Sequence, residues 1–155
     1  MTNSPDLAIL VAASYRVVVE RLRAAIEAGG LGEVRPAQGF VIRAVGAEEP
    51  SIGRLAELLD TTKQAASQLA DAMVKDGFLE RIADPGDRRS IRLRLAPRGA
   101  KIRARALRTS AAIERQLARD CGAGDVAALR RCLTRLLERH GALDEALAKR
   151  ARPVW

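Results

Sequence analysis

A mainly α-helical chain with one small β-hairpin is what this sequence predicts, on three observations. Over most of its 155 residues the apolar side chains recur at steps of three and four, the spacing of one helix face. Period two appears once, where Ile91, Leu93 and Leu95 alternate with Arg92 and Arg94. A loop of turn formers, Asp84-Pro85-Gly86-Asp87-Arg88-Arg89-Ser90, separates that stretch from a second short apolar run, Phe78–Ile82, as a hairpin requires.

The first expected helix covers residues 6–28, with Leu7, Leu10, Val11, Tyr15, Val18, Leu22 and Ile26 on one face and Gly29-Gly30 as its stop. Pro36 fits the first turn of a second, short helix that runs to about Val45 and buries Phe40, Val41 and Val45. Gly46–Pro50 then reads as a connection. Ser51 is the expected N-cap of a third helix carrying Ile52, Leu55, Ala56, Leu58 and Leu59. Asp60-Thr61 closes it and opens the fourth, since Thr61 followed by Gln64 has the form of a capping box. That fourth helix extends to about Asp76, with Ala66, Leu69, Ala70 and Met73 inward and Gly77 as its stop.

After the hairpin, Pro97 opens a long helix to about Asp120, striped weakly by Ile102, Ala106, Thr109, Ile113 and Leu117. The break at residues 121–124 precedes a last helix from Asp125. There Val126, Leu129, Leu133, Leu136, His140, Leu143 and Leu147 form a heptad-like seam that Gly141 interrupts.

Composition narrows the function. One domain of ~100–200 residues accommodates the chain, and 48% hydrophobic residues suffice for a core. Two cysteines without a pairing pattern, and an N-terminus lacking a positive leader, fit a cytoplasmic protein with no membrane span. A single histidine and no CxxC leave no metal-ligand spacing, so no cofactor is expected. No nucleophile motif or acidic metal cluster is present, which argues against an enzyme, a small nuclease included.

Charge is the sharper clue. Residues 81–108 hold ten basic side chains against Asp84 and Asp87 alone, equal to the whole chain's net charge of +8. A block so concentrated implies a polyanionic partner. Aromatic residues are only 3%, too few to stack single-stranded bases, so the expected partner is double-stranded DNA. The preference for Arg (23) over Lys (4) suits phosphates and guanine edges, although a GC-rich genome also produces it.

Helix, helix, hairpin is the order of a winged helix-turn-helix. In such a lobe the second helix enters the major groove by its N-terminal end. The groove-facing candidates are Thr61, Thr62, Lys63, Gln64, Ser67, Gln68 and Asp71, with Gln64 and Gln68 one turn apart and suited to adenine edges. Alone, this segment is equally an ordinary helical hairpin with a solvated face. Arg88 and Arg89 at the hairpin tip suit a minor groove, and Asp87 can hold a neighbouring guanidinium. Alone, that loop is equally a solvated turn. Arg81, Arg92 and Arg94 are candidate phosphate contacts; Arg98, Lys101, Arg103 and Arg105 are weaker ones, the last two sharing with Arg108 a helical face expected to be solvated.

The run Leu55-Ala56, Thr62-Lys63, Ser67-Gln68-Leu69, Met73, Gly77-Phe78-Leu79-Glu80-Arg81, Asp84–Arg89, Leu95 and Gly99 resembles the MarR family of bacterial transcriptional regulators. The resemblance implies one MarR-like domain over 1–155. Its DNA-binding winged helix-turn-helix lobe spans 36–96, and 6–28 and 97–150 supply dimerisation helices. It also implies a homodimer on a pseudo-palindromic promoter site, acting as a repressor released by a small phenolic or other lipophilic effector. One departure is Ala96, where the family usually has a Thr that caps the next helix; Pro97 partly offsets the loss. The family's peroxide-sensing cysteine in the first helix has no counterpart, so a redox role for Cys121 or Cys132 is not the main expectation. The rival reading is a winged-helix module that docks protein instead of DNA.

Overall fold

The structure is a computed structural model that describes residues 5–86 and 90–141. Its elements run α1 (Leu7–Ala28), α2 (Pro36–Glu48), α3 (Ile52–Leu59), α4 (Lys63–Lys75), β1 (Leu79–Ala83), β2 (Ile91–Leu95), α5 (Pro97–Cys121) and α6 (Ala123–Arg139). The mainly helical class with one antiparallel hairpin is therefore borne out. Leu79 pairs with Leu95 and Ala83 with Ile91, and Asp84 N–H donates to Ser90 O (2.9 Å) to close the loop.

Burial explains the order. Val41, Ile42 and Val45 of α2, Leu55 and Ala56 of α3, and Ala66, Ala70 and Met73 of α4 meet Phe78, Leu79 and Leu93 in one core. Ile102 of α5 and Ile26 of α1 close it from the other side. The small, fully buried Ala66 and Ala70 let α4 lie close on α3. Gly99 performs the same service for α5: a Cβ there would overlap the Phe78 carbonyl, so only glycine lets α5 start against the hairpin.

Several local expectations need correction. The α2 helix runs on to Glu48, because Gly46 lies under the Arg103 stem and Leu95 and is kept for that contact instead of for a turn. Thr62, not Thr61, caps α4, its hydroxyl accepting from Ala65 N–H (3.1 Å); the Thr61–Gln64 capping box does not form. Asp60 ends α3 in the left-handed region at φ 49°, so the connection is one residue longer than the sequence suggested. In β2, Leu93 is fully buried but Ile91 is exposed, since the hairpin outruns the helices beneath it. The last helix starts at Ala123, directly after Gly122.

Ser51 caps α3 as expected, accepting from Arg54 N–H (3.2 Å), and Ala96 precedes Pro97 without any side-chain cap on α5. The α6 seam is not covered: none of its residues is buried, and Leu129, Leu133 and Leu136 are exposed. Leu143 and Leu147 lie outside the described residues. His140 is an exposed C-cap residue and not a packed one.

Candidate nucleic-acid interface

Thr61, Thr62, Lys63, Gln64 and Gln68 are all exposed at the N-terminal end of α4, and Ser67 is half-buried. Met73, Ala66 and Ala70 bury the opposite face, so packing alone turns the polar face outward. The α4 start also presents the positive end of the helix dipole, which suits an anion. Gly53 of α3 leaves room for the Lys63 stem, whose Cε lies 3.3 Å from where a Cβ would stand. That passage holds Lys63 across the helix-turn-helix joint.

The hairpin lies beside this face. Its tip candidates Asp87, Arg88 and Arg89 lie outside the described residues. Its base is well defined: Asp84 Oδ1 accepts from Gly86 N–H (2.8 Å) and Asp84 Oδ2 from Arg92 Nε (2.6 Å), one carboxylate joining the turn to β2. Asp84 is 14% exposed, so this is the best-protected ion pair among those described.

The three candidate phosphate contacts each have an internal partner. Arg81 donates to Asp71 (2.6 Å), linking β1 to the outer face of α4. Arg92 is held by Asp84, and Arg94 donates to Glu49 (2.8 Å) at the α2–α3 junction. That hydrogen bond lowers the Glu49 carboxyl below its usual range and raises Arg94 further. Backbone pairing ties the same junction to β2, through Leu93 N–H to Pro50 O (2.9 Å) and the Ser51–Arg92 bridge. The sequence did not show these partners, because Asp71 and Glu49 come from other elements.

Two members of the basic block serve the fold. Arg98 donates to the carbonyls of Leu31 and Asp76, and Arg105 donates to Ala25 O (3.0 Å), so neither is a solvated cation. A signal existed for Arg98: a cation in the first turn of a helix opposes the dipole unless a partner holds it. No groups of His, Cys, Asp and Glu that could hold a metal occur among the described residues, and no helix there is long and apolar enough to cross a membrane. Cys121 and Cys132 are both exposed in the single chain.

Three helices, a hairpin and a short strand-like pairing at Ser51 make α2 to β2 a winged helix-turn-helix lobe. Residues 34–90 match the model of the MarR family. The chain is similar to that family over this lobe. It is 34% identical over 99 residues to the exopolysaccharide II synthesis transcriptional activator ExpG of Rhizobium meliloti, a match covering 62% of this chain; the chain spans about half (50%) of that relative's length. Among solved structures it is similar to Streptococcus pneumoniae FabT in complex with DNA, with TM-score 0.72, 18% identity, and 88% and 95% of the two chains covered. Wild-type apo MarR from E. coli superposes with TM-score 0.61 at 20% identity, over 87% of this chain and 99% of that one.

Proposed function

We propose that the protein is a transcriptional regulator that binds double-stranded DNA sequence-specifically as a homodimer. The observation that carries this is the outward polar face of α4 (Thr61, Thr62, Lys63, Gln64, Ser67 and Gln68) beside an arginine-rich hairpin, in a lobe matching the MarR family. In this reading α4 enters the major groove, Asp87, Arg88 and Arg89 act at the wing tip, and Arg81, Arg92 and Arg94 exchange internal carboxylates for phosphates. The DNA-bound state of the FabT neighbour supports the partner class.

The homodimer is supported by apolar surface left uncovered. On α1, Leu7, Ile9, Leu10, Val11 and Tyr15 are each 40% or more exposed, and on α6 Leu129, Leu133 and Leu136 are at least 36% exposed. A soluble monomer rarely leaves such contiguous strips in water. In this reading two copies meet through these helices and present their two α4 helices to the two halves of a pseudo-palindromic site. The reading of 6–28 and 97–150 as dimerisation helices rests on these strips, and that of 36–96 as the DNA-binding lobe on the α4 face and the hairpin.

Repression follows where such a site overlaps a promoter. The activator named among the relatives favours the second reading, activation from an upstream site. A small lipophilic or phenolic effector acts only through a difference in affinity between the DNA-matching and non-matching dimer geometries. Titrating salt against the duplex upstream of the protein's own gene tests the core of this. Affinity falls ~10³–10⁵-fold between 50 and 200 mM salt if 6–10 phosphates are contacted. A flat salt response contradicts DNA binding. A promoter–reporter fusion measured with and without the protein gives the sign of regulation.

A further inference from the structure

The start of α5 carries a cation where the helix dipole disfavours one. Arg98 sits in that first turn, yet its guanidinium has three partners in two connections, the α1–α2 loop and the α4–β1 turn. Nη2 and Nε donate to Leu31 O in the loop after α1 (2.9 and 3.3 Å), and Nη1 donates to Asp76 O at the C-cap of α4 (2.8 Å). The plane also lies over the Phe78 ring, 4.4 Å from its centroid. Gly32 leaves the space for it: a Cβ there would stand 2.7 Å from Nη2. Both carbonyl acceptors lie at or just past helix C-termini, where negative partial charge gathers and a cation is stabilising. Two turns along, Arg105 grips Ala25 O in the last turn of α1, which has no basic residue of its own.

We infer that Arg98 is a positioning residue for DNA recognition: one guanidinium pins the C-terminal end of α4 to the loop after α1 and to the start of α5. The inference rests on the DNA-binding reading above. Its physical basis is leverage. Hydrophobic contact fixes how deeply α4 sits on α3 but is non-directional, so it tolerates small rotations. A fork joining two carbonyls and a ring is directional. In a dimer, a small rotation of each α4 changes the separation of two recognition helices that must match roughly one turn of DNA.

The test uses the full chain. Wild-type protein selects duplexes from a library with a randomised centre, and the most enriched inverted repeat and one half-site cut from it become the probes. R98K keeps the charge and the apolar stem but cannot fork between two carbonyls; R98M keeps the stem alone. Both variants are expected to bind the half-site as the wild type does, with the same salt slope. On the full repeat they lose about tenfold or more, the scale of one charge-assisted hydrogen bond. Their cost for a spacer changed by one base pair also shrinks.

Unchanged affinity for the full repeat overturns the inference. So does an equal loss on both probes, whatever the slope, and a slope smaller by about 0.9 identifies Arg98 as a phosphate contact instead. Should R98M not fold, R98K decides. Failure of the wild type to enrich any duplex would sink the DNA-binding reading itself, and the inference with it.

Discussion

Single arginines in this chain do unlike things, and their partners decide which. Arg98 and Arg105 are bound to backbone carbonyls, whereas Arg94 is held by an exposed carboxylate that a phosphate can replace. Because Arg94 depresses the Glu49 carboxyl, the pair is complete above the ordinary carboxylate range and is lost only as pH falls through the lowered value. At neutral pH it is intact. Glu49→Gln is expected to free Arg94, raise duplex affinity and steepen the slope against log salt by about 0.9, one extra phosphate contact. An unaltered slope in a salt titration would show that Arg94 does not reach the backbone. Thr62→Ala removes the α4 cap and is expected to cost about 1 kcal/mol in urea unfolding.

At the scale of elements, close approach is what fixes the lobe. The Gly99 backbone lies against the Phe78 carbonyl, so α5 leaves the hairpin at one angle. Gly99→Ala is expected to destabilise by roughly 1–3 kcal/mol, as overpacking does, measured by chemical denaturation. A variant as stable as the parent would mean the contact relaxes freely. Most elements were legible because each boundary carries local chemistry: Asp6 and Ser51 cap helices, Pro36 and Pro97 open them, and the Arg92/Arg94 alternation marks β2. What was not legible depended on distant residues. Thr61 and Thr62 are equally good caps in isolation, and the left-handed Asp60 decides between them. Gly46 looked like a turn, because the Arg103 stem that crosses it lies far along the chain.

The candidate site was legible as a face and not as a set of pairings. Period 3.6 turns Lys63, Gln64 and Gln68 outward whatever the rest of the chain does. Ion pairs such as Arg81–Asp71 need the hairpin folded back beside α4, which no local pattern encodes. The Arg98 fork needs Leu31, 67 residues away, and the Arg105–Ala25 bond spans 80.

For the whole molecule, the proposed homodimer puts the exposed leucines of α6 and the apolar strip of α1 between two copies. Leu133→Glu combined with Leu10→Glu places charges on both strips and is expected to yield a helical monomer in sedimentation that binds the inverted repeat far more weakly than a half-site difference explains. Persistence of the dimer would move the interface elsewhere.

Central to the account is that two α4 helices and two arginine-bearing wings grip one duplex symmetrically. Selection of duplex DNA from a random pool by the full-length protein measures this most directly. The account predicts an inverted repeat whose half-site centres lie about 10–10.5 base pairs apart, with affinity for it lost when Arg88 and Arg89 are both changed to Ala. Enrichment of no duplex, or of an unrepeated site bound equally well by that double variant, would contradict it.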